Sequence, residues 1–190
     1  MSLLQNSNAV TPSGGYDIDN SCRFNEPDSP YLSRTPASAS NRKTWTISCW
    51  VKLTGHDNAA YFMDAGSNPN YVAVYIYQGK LSIYDPSVAP DSIYVQSTRV
   101  LRDPAAWYHV VVQLDTTQNT NTDRVKMYVN NSRIDSFSQT TYPPQNYDSF
   151  INNNIEHTIN KSGGSEGAPY MAEYHFIDGT ALTPASFGEL

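Results

Sequence analysis

The sequence predicts an all-β, two-sheet antiparallel sandwich, and three observations predict it. Short runs of alternating apolar and polar residues recur along most of the chain, the two-residue period of strands that bury one face. Turn-forming pairs such as Gln78-Gly79 and Asn130-Asn131 separate those runs. No stretch holds a helical period long enough for a regular amphipathic helix, and strands of this kind at close spacing are the pattern of a sandwich.

In chain order, residues 1–15 lack periodicity and end in Thr11-Pro12-Ser13-Gly14-Gly15. They read as an extended N-terminal arm. Residues 16–190 are expected to form one domain, a length that buries a substantial core. From Lys43 to Leu53 the chain alternates, with Trp45, Ile47, Cys49, Val51 and Leu53 on one face and Thr44, Thr46, Ser48, Trp50 and Lys52 on the other. Val72, Val74 and Ile76 likewise oppose Tyr71, Ala73, Tyr75 and Tyr77, and Gln78-Gly79 turns this run into Lys80-Leu81-Ser82-Ile83-Tyr84 as a hairpin. Asp103-Pro104 predicts one short capped turn that delivers Trp107 to its strand. That strand sets Tyr108, Val110, Val112 and Leu114 against Trp107, His109, Val111 and Gln113. Val125, Met127 and Val129 then oppose Arg124, Lys126 and Tyr128 ahead of the Asn130-Asn131 turn. The stretches 140–147 and 160–167 read as loops. Thr183 is expected to cap a last turn opened by Pro184, stapled by Leu182 and Phe187 and ended by Gly188.

Composition excludes several functions. The formal net charge of −6 repels phosphate backbones and anionic lipid, so no nucleic-acid partner is expected. No run approaches the roughly 18 apolar residues of a membrane span, so no membrane insertion is expected. The opening residues lack a basic region followed by an apolar run, so synthesis in the cytoplasm without a signal peptide is expected. Cys22 and Cys49 belong to no metal-spaced cluster and are expected to be buried free thiols; a bridge would need neighbouring strands at bonding distance.

A family resemblance is carried by SCRFN (21–25), PYLSRTP (30–36), NRKTWTISCWVK (41–52), RDPAAWYHVVVQLDTTQ (102–118), RVKMYVNN (124–131) and MAEYHFIDGTALTPASFGE (171–189). Together they resemble the laminin-G-like, concanavalin A-like jelly roll, in the version found in tail-fibre and other virion proteins of tailed bacteriophages, notably marine ones. The resemblance covers residues 16 to 190. It implies a jelly-roll sandwich in a virion, a homo-oligomer with a trimer favoured, and attachment to host surface glycans in a tail fibre or spike; the alternative is a capsid decoration or tail adaptor that binds neighbouring virion proteins through the N-terminal arm. It also brings Ca²⁺ into view, since relatives hold the ion in rim loops; Asp57, Asp64 and Asp178 are the candidate ligands here.

Glycoside hydrolysis is the enzymatic reading to weigh, because glycanases share the fold. Glu173 and His175 share a strand face and Asp178 lies on the other, so the paired carboxylates that a retaining glycosidase needs are not both there. No Gly-x-Ser-x-Gly elbow or histidine pair at zinc spacing occurs, and Gly163–Gly167 reads as a flexible loop rather than a phosphate cradle. The expected function is therefore binding without catalysis. Its candidate residues lie opposite the apolar faces, where Trp50, Tyr75, Tyr77, Tyr84, Trp107, His109, Tyr128 and His175 fall. Aromatic rings with polar tips suit both sugar stacking and protein interfaces. Trp50, Trp107, His109, Tyr128 and His175 are the chosen contact set. A carbohydrate platform, a subunit or virion interface, and simple cover by loops all remain compatible with it.

Overall fold

A computed structural model describes residues 20–88 and 92–188; the arm expected over residues 1–15 lies outside them. The described strands are β1 (Cys22–Arg23), β2 (Leu32–Arg34), β3 (Thr44–Lys52), β4 (Ala60–Ser67), β5 (Asn70–Tyr77), β6 (Lys80–Asp85), β7 (Ile93–Ser97), β8 (Trp107–Asp115), β9 (Val125–Val129), β10 (Ser132–Ile134), β11 (Phe137–Thr141), β12 (His157–Ile159), β13 (Lys161–Ser162), β14 (Ser165–Glu166) and β15 (Tyr170–Asp178). Thirteen of them build a six-stranded sheet, β1-β15-β3-β8-β9-β10, and a seven-stranded sheet, β11-β7-β6-β5-β4-β12-β2, and β13 and β14 pair by themselves. Every pairing is antiparallel, and the two sheets form a jelly-roll sandwich. Among the described residues the helical segments are three short 3₁₀ turns, at Glu26–Asp28, Asn121–Asp123 and Pro184–Phe187. No described helix is long and apolar enough to cross a membrane.

The alternation read from the sequence is what closes the core. Trp45, Ile47, Cys49, Val51, Tyr108, Val110, Val112, Leu114, Val125, Met127 and Val129 face inward from the six-stranded sheet. They meet Phe62, Ala65, Val72, Val74, Ile76, Leu81, Ile83, Ile93 and Val95 from the other. Two polar groups fix the layers. The Trp45 indole N–H donates to Ser149 Oγ at 3.2 Å, and the Tyr174 hydroxyl of β15 crosses the sandwich to donate to the Phe62 carbonyl of β4 at 2.8 Å. Both turns expected from sequence hold two positive φ angles, 50° and 70° at Gln78 and Gly79 and 50° and 62° at Asn130 and Asn131, as tight hairpins require. At Gly79 a Cβ would also lie 2.7 Å from the Leu101 carbonyl oxygen, so only glycine fits.

The structure corrects several expectations. Residues 137–141 are the edge strand β11, largely exposed, so no buried face marks it in the sequence. Gly163 and Gly164 (φ +56° and +91°) close the hairpin of β13 and β14 rather than a flexible loop. Both cysteines are free, but Cys22 is exposed, because β1 is a two-residue edge strand. Burial of Cys49 pushes its thiol up to about 12. The last turn forms over Pro184–Phe187, yet the Thr183 side chain makes no capping hydrogen bond; the Ser186 amide bonds to the Thr183 carbonyl at 3.0 Å instead. Asp103 behaves as expected, its carboxylate accepting from the Ala105 amide at 2.8 Å just before β8.

Candidate functional site

The sandwich leaves each sheet an outer face, and aromatic residues crowd both. On the six-stranded sheet, antiparallel pairing aligns Ala172, Trp50 and His109 in one row and His175, Ser48, Val111 and Tyr128 in the next. Trp107 lies one row beyond Trp50, opposite Lys52. All five residues of the expected contact set therefore share one face.

Much of that face is already occupied. His109 is only 4% exposed: its Nε2 lies 2.9 Å from Ser48 Oγ, and the Trp50 ring stacks on it with centroids 5.1 Å apart. Burial, then the charge of His175, hold its pKa below the usual imidazole value, so it acts as a neutral support under Trp50. Residues 180–187 cover the part of the face around Thr46, Gln113 and His109. Thr46 Oγ1 donates to the Thr180 carbonyl at 2.7 Å and accepts from the Leu182 amide at 2.8 Å, and the Gln113 amide donates to the Leu182 carbonyl. Phe187 then lies against both imidazoles, 6.4 Å from His109 and 5.7 Å from His175. Trp50, Trp107, Tyr128 and His175 stay at least partly exposed. Glu173, at φ +47° in an irregularity of β15, places its carboxylate 3.6 Å from His175. Asp178 pairs with core-facing Trp45 and accepts from Asn152 at 2.8 Å.

The outer face of the seven-stranded sheet is a field of tyrosines. Tyr84 and Tyr94 are cross-strand partners, Tyr61 pairs with Tyr75, and Tyr71 pairs with Gly66. Ring centroids lie 5.0 Å apart for Tyr84–Tyr94, 6.1 Å for Tyr71–Tyr84 and 5.9 Å for Tyr61–Tyr75, with the edge-on and tilted geometries that aromatic quadrupoles favour. Tyr77 at the end of β5 is 46% exposed. Sequence reasoning placed Tyr71, Tyr75, Tyr77 and Tyr84 opposite apolar faces, left Tyr71 out of the candidate aromatics, and passed over Tyr61 and Tyr94. The signal was there for Tyr94, which alternates with Ile93 and Val95.

Beside Tyr71 and Tyr84 opens a hollow of about 620 Å³, walled by Asp64, Glu156, Thr158 and Lys161 and by the backbone of Gly163 and Gly164. Asp64 is 6% exposed and accepts a hydrogen bond from Ser162 Oγ. Burial outweighs that bond and raises its pKa to about 6. The folded value lies above that of an unfolded carboxylate, so the folded state holds the extra proton and stability falls as pH climbs from about 4 through about 6. Asp64→Asn should abolish that loss. Urea unfolding is expected to find the variant on the order of 2 kcal/mol more stable than wild type at pH 8 and about equal at pH 4.

A calcium ion takes six to eight oxygens that converge on one point. Asp57, Asp64 and Asp178 instead line three different hollows, and no group of three or more His, Cys, Asp or Glu side chains suited to a metal occurs among the described residues. The three aspartates do not fit one shared ion.

Residues 28–170 match the family model of the concanavalin A-like lectin/glucanases superfamily. No curated protein matches the chain. Among solved structures, the botulinum neurotoxin type G receptor binding domain superposes with a TM-score of 0.57 at 14% identity, covering 90% of this chain and 42% of that one. The CBM40 of Ruminococcus gnavus IT-sialidase, bound to α2,3-sialyllactose, gives a TM-score of 0.54 at 12% identity over 82% of this chain and 96% of that one. The chain thus spans less than half of the toxin domain and nearly all of the CBM40, and at such identities the likeness is one of fold.

Proposed function

Because the chain belongs to the concanavalin A-like lectin/glucanases superfamily, we propose that it is a non-enzymatic glycan-binding domain that acts at the tyrosine face of its seven-stranded sheet. The observation that carries this reading is the hollow beside Tyr71 and Tyr84, where aromatic rings, carboxylates and backbone converge. A sugar presents C–H faces that lie on aromatic rings and hydroxyls that donate to carboxylates; both complements are present. Charge narrows the class. Asp64 and Glu156 line the hollow, and Lys161, the one cation among the described residues that line it, is engaged by Glu166 at 3.7 Å and lies 3.9 Å from the centre of the Tyr31 ring. Neutral sugars suit this surface better than acidic ones. The toxin domain and the CBM40, named for receptor binding and for a bound sialyllactose, support a binding role as analogies of fold.

The biological setting we propose is the virion of a tailed bacteriophage, where such a domain in a tail fibre or spike, carried as a homo-oligomer, would attach the particle to host surface glycans. The motifs from residues 30–36, 102–118 and 171–189 support that setting. A second reading, an adaptor or capsid decoration bound to neighbouring virion proteins, draws on β2. It is one edge of the seven-stranded sheet, with Leu32 57% exposed and Tyr31 beside it 43% exposed, and sheet edges invite pairing with another chain. A glycan array probed with the full chain tests the first reading. Retention of neutral glycans is the expected result; a blank array from folded protein overturns it.

A further inference from the structure

On the opposite sheet, four strands bring one cross-strand row together. Arg23 of β1 pairs with Tyr170 of β15, Tyr170 with Lys52 of β3, and Lys52 with Trp107 of β8. Directly paired residues of antiparallel strands project to the same side, so the row alternates cation, aromatic, cation, aromatic over three strand spacings, about 14 Å. The side chains meet: Arg23 Cζ lies 5.5 Å and Lys52 Nζ 5.8 Å from the Tyr170 ring centre, and the Trp107 and Tyr170 rings are 6.5 Å apart and edge-on. Arg23 is exposed, and the other three are half-buried. Among the described residues neither cation enters an ion pair. On a chain of net charge −6, two cations are gathered around one ring with no carboxylate of the described residues in ion-pair range.

We propose that this row is a second saccharide site, and that it takes a short glycan ending in a carboxylated sugar. The guanidinium fork matches a carboxylate in two parallel hydrogen bonds, and the ammonium adds a point charge. Tyr170 and Trp107 offer rings to the sugar body. A long polyanion meets the repulsion of the whole protein, so the ligand carries one or two charges. A protein partner would call for a contiguous apolar centre, and the exposed large hydrophobics Tyr31, Leu32, Tyr77 and Val88 all lie outside the row. The site is independent of the tyrosine face, which belongs to the other sheet.

The test titrates the full chain with 3′-sialyllactose, digalacturonate and lactose at low and high salt, using wild type, Lys52→Gln, Arg23→Gln and Tyr84→Ala. At least one carboxylated probe should bind, tenfold or more weakly in Lys52→Gln and Arg23→Gln and more weakly in high salt, with Tyr84→Ala unaffected. Lactose affinity should not follow Lys52. The proposal is overturned if neither carboxylated probe saturates at millimolar concentration. It is equally overturned if both charge variants bind like wild type, or if binding follows Tyr84 instead. Lost neutral-glycan binding with this site intact would count only against the tyrosine-face reading.

Discussion

Tyr84→Ala should weaken the binding of a neutral glycan about thirtyfold, equivalent to about 2 kcal/mol, the scale of a buried aromatic contact at the centre of a binding surface. Tyr84 is the middle ring of the Tyr71–Tyr84–Tyr94 series, so alanine removes both a stacking surface and the wall that positions its neighbours. Isothermal titration against a glycan retained on the array measures the loss. The fold should survive, because Tyr84 is only half-buried and lies outside the buried core. Tyr84→Phe keeps the ring and should stay within a few-fold of wild type. An unchanged affinity in Tyr84→Ala would move the site elsewhere.

The largest stability loss is expected from Trp45→Ala. Trp45 is fully buried, sits between Thr44 and Thr46 on the longest pairing of the six-stranded sheet, and ties that layer to Ser149. Deleting the indole removes the greatest single block of apolar surface from the core and leaves a cavity that rigid sheets do not collapse to fill, a cost of about 3–5 kcal/mol. Denaturant unfolding checks it, with Trp45→Phe recovering part of the loss. Trp50→Ala makes the informative contrast. Its side chain lies on the outer face above His109, so it should cost markedly less.

The contrast between these two tryptophans shows where the sequence was legible. A period of two assigns Trp45 inward and Trp50 outward with no further knowledge, and the same rule orders β5, β8 and β9. It could not say which strands are neighbours. Trp50 meets His109 because β3 lies beside β8, and Tyr84 meets Tyr94 because β6 lies beside β7; those registers come from long-range pairing. Nor could it foresee that residues 180–187 fold back over the six-stranded sheet. That segment has no period, and it is held by two hydrogen bonds to Thr46, 134 and 136 positions away, and one to Gln113, 69 positions away. Its cover turns His109 from an expected contact residue into a support. The tyrosine face was half visible: each strand declared its own outward rings, but their union and the hollow walled by Glu156, Lys161 and the 163–164 turn depend on β12 and β13 joining from far along the chain.

The claim that a glycan lies on the tyrosine face is tested most directly by titrating a neutral glycan into isotope-labelled protein and mapping the amide shifts by nuclear magnetic resonance. The account predicts perturbations clustered at Asp64, Tyr71, Ala73, Tyr84 and Tyr94 and along 161–164, with the rows around Trp50 and Trp107 quiet. Shifts confined to the six-stranded sheet, or none at saturating glycan, would contradict it.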